Sequence, residues 1–303
     1  VTPEIEALLD QIPILADRTL VEELSGGLTN RNLRVHRPSG DVVVRLAGAS
    51  GELLEIDRVA EHHDSVAAAA SGAAPEVLAH HPELAAMVID YVPGSTLSND
   101  SFADAGVMAR AAGAVRQLHA GPAFARTFSM FERRERYLAT IAERGFELPP
   151  DYHRFDAHWA DVRRVLEGTA AELAPCNNDL LAENYVDDGD RCWLIDYDYA
   201  ANGDPAFDLG NTATECEFTP EQTEAWVEQY YGALTPARLS RVRLQALCSA
   251  YGWSLWGYIQ KDASDLDFDY EGWGLHRFDK AARVFTSPHF TRLLTAVVEE
   301  RTT

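Results

Sequence analysis

The sequence predicts an α+β chain in two lobes, a small β-sheet lobe over residues 1–92 and a larger, mainly helical lobe over 93–303. Three observations predict it. Short β-branched runs bounded by turn residues fill the stretch from 19 to 91. Beyond Ser101 the apolar residues recur at helical spacing. Between the two regimes stands Val92-Pro93-Gly94, a break suited to a hinge.

Taken in order, Pro3 to Ile12 predicts a short opening helix, and Thr19 to Leu24 a strand that runs into the turn Ser25-Gly26-Gly27-Leu28-Thr29-Asn30. Lacking side chains, Gly26 and Gly27 let backbone N–H groups approach phosphate oxygens; a plain hairpin turn explains the same glycines. Asp41 to Leu46 reads as a strand with a single cation, Arg45, which needs an anionic partner if buried. That partner is either a nucleotide phosphate or Glu61 on the helix expected over Glu52 to Ala69; the alternative is an exposed edge arginine and a solvated glutamate. Pro75–Ala79 and Ala86–Tyr91 complete the strands, and backbone near Ile89 to Tyr91 is placed to bind adenine.

In the second lobe Val107, Ala111, Val115 and Leu118 share one helical stripe, ending on His119, read as structural. Helices follow over Phe128–Arg144 and Phe155–Leu173, and then, after residue 204, at 219–232, 236–262, 270–284 and 288–301. Asp208, near the start of the helix that opens at Pro205, is expected to cap free N–H groups.

Composition bounds the function. At 303 residues, 46% hydrophobic and 10% aromatic, the chain can bury one large core or two modest ones. A formal net charge of -22 repels nucleic acid and anionic membranes and attracts a small cationic substrate. Cys176, Cys192, Cys216 and Cys248 show no paired spacing and no histidine partner at zinc spacing, so they read as reduced buried thiols of a cytoplasmic protein. The acidic first residues and the lack of any run of 18 apolar residues indicate neither secretion nor membrane insertion.

The chemistry concentrates in Cys176-Asn177-Asn178-Asp179-Leu180-Leu181-Ala182-Glu183-Asn184. Asp179 and Asn184 stand five residues apart, the spacing of a phosphoryl-transfer loop in which the Asp faces the acceptor hydroxyl and the Asn holds Mg²⁺. Trp193-Leu194-Ile195 reads as a short buried strand delivering Asp196 as a second Mg²⁺ ligand. An Asn/Asp surface turn explains the polar residues but not Leu180 and Leu181 between them, nor the strand that returns Asp196 to the same place.

Trp253 and Trp256 lie three apart on a helix, hence on one face, with Tyr270 following in an acidic segment. Such a stripe is commonly core packing. Beside a phosphoryl-transfer loop it reads instead as an aromatic cage for a quaternary ammonium, which donates no hydrogen bonds and is held by cation–π attraction. Trp159, Trp193, Trp226 and Trp273 read as packing residues.

These elements in this order resemble the choline/ethanolamine kinase family and, more widely, the aminoglycoside phosphotransferase-like kinases, over almost the whole chain. The resemblance rests on the glycine turn, the strand Val43-Val44-Arg45-Leu46, the loop from Asn178 to Asn184, and Leu194-Ile195-Asp196-Tyr197-Asp198-Tyr199. It implies a two-lobed protein-kinase-like fold and ATP- and Mg²⁺-dependent phosphorylation of the hydroxyl of choline, with ethanolamine, an aminoglycoside or an amino sugar as the alternative acceptor and a non-catalytic relative as the remoter one. Asp179 is then the base and Asn184 and Asp196 are the metal ligands. Ser25, Gly26, Gly27, Thr29, Asn30, Arg45, Glu61, Ile89 and Tyr91 attend the nucleotide, and Tyr199 and Glu215 join Trp253, Trp256 and Tyr270 at the substrate. Two departures stand out: Asn177 occupies a position where the family usually carries His, and Asp198 one where it tends to carry Glu.

Overall fold

The computed structural model describes residues 1–24, 30–48, 51, 53–169, 172–264 and 266–299. Its first lobe is a five-stranded antiparallel sheet of β1 (Leu20–Glu23), β2 (Asn30–His36), β3 (Val42–Ala47), β4 (Val77–His81) and β5 (Ala86–Asp90), in the order β1-β2-β3-β5-β4. Alternation along the strands sorts its two faces. Leu33, Val35, Val42, Val44, Ala86 and Val88 bury one face against Ile5 and Leu9 of α1 (Pro3–Leu9). Arg45, one residue out of phase with Val44, is thereby turned to the opposite face, where β3 pairs it with Met87 of β5. Helix α2 (Arg58–Ser71) begins later than expected, because the Asp57 side chain caps it by accepting the N–H groups of Val59 and Ala60.

The chain passes to the second lobe between Asp90 and Ser95, where β6 (Ser95–Thr96) joins β8 (Tyr185–Asp187) and β9 (Cys192–Leu194) in a small sheet. Gly94 is needed at this crossing, since a Cβ there would lie 2.7 Å from the Asp187 carbonyl oxygen. A second small pair, β7 (Ala174–Cys176) with β10 (Ala201–Gly203), brackets the loop that starts at Asn177.

Helices supply the remainder: α3 (Ala105–His119), α4 (Met130–Arg144), α5 (Asp156–Gly168), α6 (Pro205–Glu215), α7 (Pro220–Tyr231), α8 (Pro236–Ala263), α9 (Tyr270–Phe285) and α10 (Phe290–Glu299). Helix α8 is buried on all sides from Leu247 to Gln260, the hallmark of a central core helix. It crosses α9 at Gly257 and Gly274, where a Cβ on Gly257 would meet the Gly274 Cα at 2.9 Å. This close approach sets Trp256 beside Tyr270 and Trp273.

All four cysteines are free and buried. Among the described residues no helix is long and apolar enough to cross a membrane.

Candidate active site

The loop after β7 is fastened from below by one carboxylate. Asp208, fully buried in the first turns of α6, accepts the backbone N–H of Asn177 at 2.9 Å and that of Asn178 at 2.7 Å, and its Oδ2 lies 3.0 Å from His119 Nε2. The cap of α6 is instead Asp204, which accepts the Ala206 N–H. Asp208 is therefore a loop anchor, not the helix cap expected from its position.

Asn177 does the holding that the departure from His put in question. Its Oδ1 accepts the Asp179 N–H at 3.1 Å, and its Nδ2 donates to the Asp196 carbonyl at 2.7 Å. Asn178 adopts a left-handed backbone, φ +67°, and its amide donates to the Tyr199 carbonyl. Asn184 Nδ2 donates to the Asp179 carbonyl at 2.7 Å, so its amide oxygen is the atom that could serve as a metal ligand. Burial, with the carboxylates of Asp196, Glu215 and Asp198 nearby, holds the Asp179 carboxyl well above the ordinary aspartate range, and Arg277 opposes them.

Above the loop lies a charge cluster. Arg45 Nη2 sits 2.9 Å from Asp196, 3.0 Å from Asp198 and 3.2 Å from Glu61, so the expected strand-to-helix pair is present and extended. Arg58, which sequence reasoning passed over, adds ion pairs to Glu61 at 2.7 Å and Asp198 at 2.9 Å. Asn30, expected at the nucleotide, donates to Asp198 Oδ2 at 2.9 Å. With three donors converging on it, Asp198 is long enough for its place without the extra methylene of Glu. Asp196, at φ +62°, is one of the few residues outside glycine in the left-handed region; burial raises its carboxyl and Arg45 offsets that.

The nucleotide expectations divide. Ile89 lines a narrow apolar slot with Pro75, Met87 and Ile195 that Arg45 and Asp196 close at one end. Tyr91 does not reach it: its ring lies under the Arg34 guanidinium at 3.9 Å, because Arg34 on β2 faces the same side of the sheet. The N–H groups of Asp90 and Tyr91 are given to Glu76 and Asp41 and are not directed at adenine. Ser25, Gly26, Gly27 and Thr29 lie outside the described residues.

Around Tyr199 the expected aromatic residues come together in a wall, and Trp273 joins them. Trp256 Nε1 donates to Tyr199 Oη at 2.9 Å, and the Trp256 ring packs against Tyr270 and Trp273 with centroids 5.8 and 5.0 Å apart. Trp253, as buried as Tyr270, contacts Tyr199, Phe128 and Tyr137 and joins the wall through Tyr199. Helix α8 is buried all round, which is why two indoles three residues apart can both be enclosed. Two residues were missed. Trp273 belongs to the wall, and Arg277, one turn further on α9, lies over its ring at 3.2 Å while pairing with both oxygens of Glu215.

A two-lobed protein-kinase-like fold, with this loop at the junction, defines an ATP-dependent phosphotransferase that acts on an alcohol group. Residues 20–244 match the phosphotransferase enzyme family, and the chain belongs to the choline/ethanolamine kinase family of such enzymes. Among solved structures it is similar to a choline/ethanolamine kinase family protein from Mesorhizobium loti, with 34% identity, a TM-score of 0.87, and coverage of 97% of this chain and 98% of that one. The choline kinase LicA from Streptococcus pneumoniae shares the fold at a TM-score of 0.77 and 23% identity, over 92% of this chain and 99% of that one. Ethanolamine kinase 2 of Mus musculus is 24% identical over 302 residues, 88% of this chain and 77% of its own length.

Proposed function

We propose that the protein transfers the γ-phosphoryl group of ATP to the hydroxyl of choline, with Mg²⁺ as the metal. The observation that supports the reading is the loop that ties Asn184 to the Asp179 carbonyl and Asn177 to the Asp196 carbonyl, with the Asp179 carboxyl close enough to Asp196, Glu215 and Tyr199 to feel and exert their electrostatic influence. Asp179 positions the hydroxyl and takes its proton, a role suited to a carboxylate of raised basicity with no side-chain hydrogen bond of its own among the described residues. Arg45 pairs with Asp196 at 2.9 Å and is the cation placed to meet the phosphates.

The donor set fits Mg²⁺: a carboxylate and an amide oxygen, with no soft ligand between them. Asn184 Oδ1 and Asp196 would hold the ion, which when bound neutralises charge on the phosphates. Trimethylammonium is weakly hydrated and gains from aromatic faces, whereas a primary ammonium would leave donors against rings. Glu215 at the wall supports ethanolamine as the second reading, since its oxygens can accept from an ammonium.

The two readings separate in kcat/KM for both alcohols, in wild type and in Trp256→Ala. Choline is expected to be preferred by about 1–3 kcal/mol, a preference that Trp256→Ala erodes. Preference for ethanolamine in the wild type would reject the choline assignment.

A further inference from the structure

In a chain of net charge -22, one cavity has a charged lining of three arginines and a single carboxylate. It encloses about 250 Å³ and lies between the loop that precedes α2, the start of α4 and the Tyr199–Ala201 segment. Arg126, Arg133 and Arg136 line it, with Glu55 as the single carboxylate and Phe128 and Tyr199 as apolar walls. Like charges are not gathered this way at a folding gain, because each buried guanidinium must be matched by acceptors.

The matching here is incomplete. One oxygen, Glu55 Oε2, takes hydrogen bonds from Arg133 at 3.0 Å and from Arg136 at 2.7 Å. Arg133 is 5% exposed and adds only a long bond, 3.3 Å, to the Leu54 carbonyl, and its Nε is buried with no acceptor. Arg126 meets Asp57 at 3.6 Å and likewise has a buried Nε with no acceptor. Glu55 itself is held at φ +57°, a left-handed backbone that costs energy for a residue with a side chain. Glu132 lies 3.8 Å from Arg136 outside the cavity, and within it a strained residue brings one carboxylate to a place where three guanidinium groups offer more donors than it can use.

We propose that this cavity is a binding site for a phosphate-sized oxyanion, free or as a phosphomonoester, and that Glu55 is its resident stand-in. The shared chemistry is a compact dianion that accepts several N–H donors at once, which guanidinium groups bind in paired fashion. Its volume falls below the roughly 300–1,000 Å³ of drug-sized pockets, so the ligand is small. Tyr199 forms the partition: one side lines the cavity, and its hydroxyl takes the Trp256 indole N–H on the other. Occupancy is in this way adjacent to the acceptor wall without sharing Asp179 or the metal ligands, and the assignment does not depend on which alcohol is phosphorylated.

The test is calorimetric titration of the full chain with inorganic phosphate and, separately, with O-phosphoethanolamine, at constant ionic strength and with saturating ADP to fill the nucleotide slot. Saturable binding near one site per chain is expected. It should weaken at least tenfold in Arg126→Gln and in Arg136→Gln, both of which replace half-exposed side chains, and tighten several-fold in Glu55→Gln, which removes the competing charge at equal size. Urea unfolding of each variant confirms that it is folded. Equal affinity for both probes assigns the site to the phosphate group alone, and a tenfold advantage for the ester places its organic tail on Phe128 and Tyr199. No saturable heat with either probe, or affinities that the three substitutions leave unchanged, overturns the proposal.

Discussion

Arg277 grips both carboxylate oxygens of Glu215 while its guanidinium lies 3.2 Å above the Trp273 ring. A cation of the chain itself therefore makes the two contacts, carboxylate and aromatic face, that an acceptor's ammonium would seek. The pair is largely enclosed, with 12% and 5% of the two side chains exposed.

Removing one member of such a pair leaves the other buried and unmatched. Arg277→Met should lower stability by about 3–5 kcal/mol in the absence of acceptor. If the head group of the acceptor binds at this place, choline then replaces the missing cation: at a fixed concentration about 100 times the variant's Kd it should restore about 2.7 kcal/mol, more than the same concentration adds to the wild type, whose Kd is then the weaker. Urea unfolding with and without choline measures both quantities. An equal increment in the two proteins would place the head group elsewhere.

For Asp179, replacement by Asn is expected to cut kcat by about 10²–10⁴ or more while nucleotide affinity stays within a few-fold. The pH dependence follows from its raised carboxyl, which burial and the carboxylates of Asp196, Glu215 and Asp198 produce. A base must be ionised, so activity should fall as pH drops through a midpoint above the ordinary aspartate value of 3.8. Stability runs the other way: the folded form holds the proton more tightly, so this group's contribution is lost as pH rises from the unfolded to the folded pKa. Without metal or nucleotide, Asp179→Asn should accordingly be more stable than the wild type near neutral pH, as thermal melts across pH would read.

Asp196→Ala should separate metal-dependent from metal-independent nucleotide binding. Its carboxylate contacts Arg45 at 2.9 Å, and the residue before it donates its N–H to the Asn184 carbonyl, so its loss removes half of the proposed metal donor set. Calorimetry should show Mg·ATP affinity falling at least tenfold with AMP affinity in EDTA nearly unchanged. Equal losses for both ligands would make Asp196 a partner of Arg45 only.

What the sequence made legible was local. Asp179, Asn184 and Asp196 are separated by one short loop and one strand, so spacing alone predicts that they are neighbours; the Asn184 amide donates to the Asp179 carbonyl and the Asn177 amide to the Asp196 carbonyl. Strand β2 went unnamed because Asn30, Arg31, Asn32, Arg34 and His36 leave only Leu33 and Val35 as apolar markers. Arg58 and Arg277 sit on helices with polar faces and read like any solvated helix charge; only the approach of α2 to Asp198 and of α9 to the end of α6 gives them partners. Trp273, read as packing, also contacts Trp256, a neighbour that only the crossing of α9 over the all-buried α8 supplies.

The same limit applies to Asp208, whose position near a helix start concealed what it does. Its two oxygens take the N–H groups of Asn177 and Asn178, and Oδ2 also meets His119, all within a fully buried setting. Asp208→Asn keeps the size but supplies one acceptor oxygen and an NH₂ group, so in either orientation a donor faces a donor. Each donor so orphaned costs about 1–3 kcal/mol, and the loop that carries Asp179 loses its anchor. Stability should therefore fall together with kcat, the latter by about 10²-fold for a displacement of the base near 1 Å. That combination distinguishes it from Asp179→Asn, which removes activity and spares the fold. Urea midpoints and kcat measured on both variants decide the matter; a stable Asp208→Asn enzyme with near-normal turnover would show that the loop holds its shape through Asn177 and Asn178 alone.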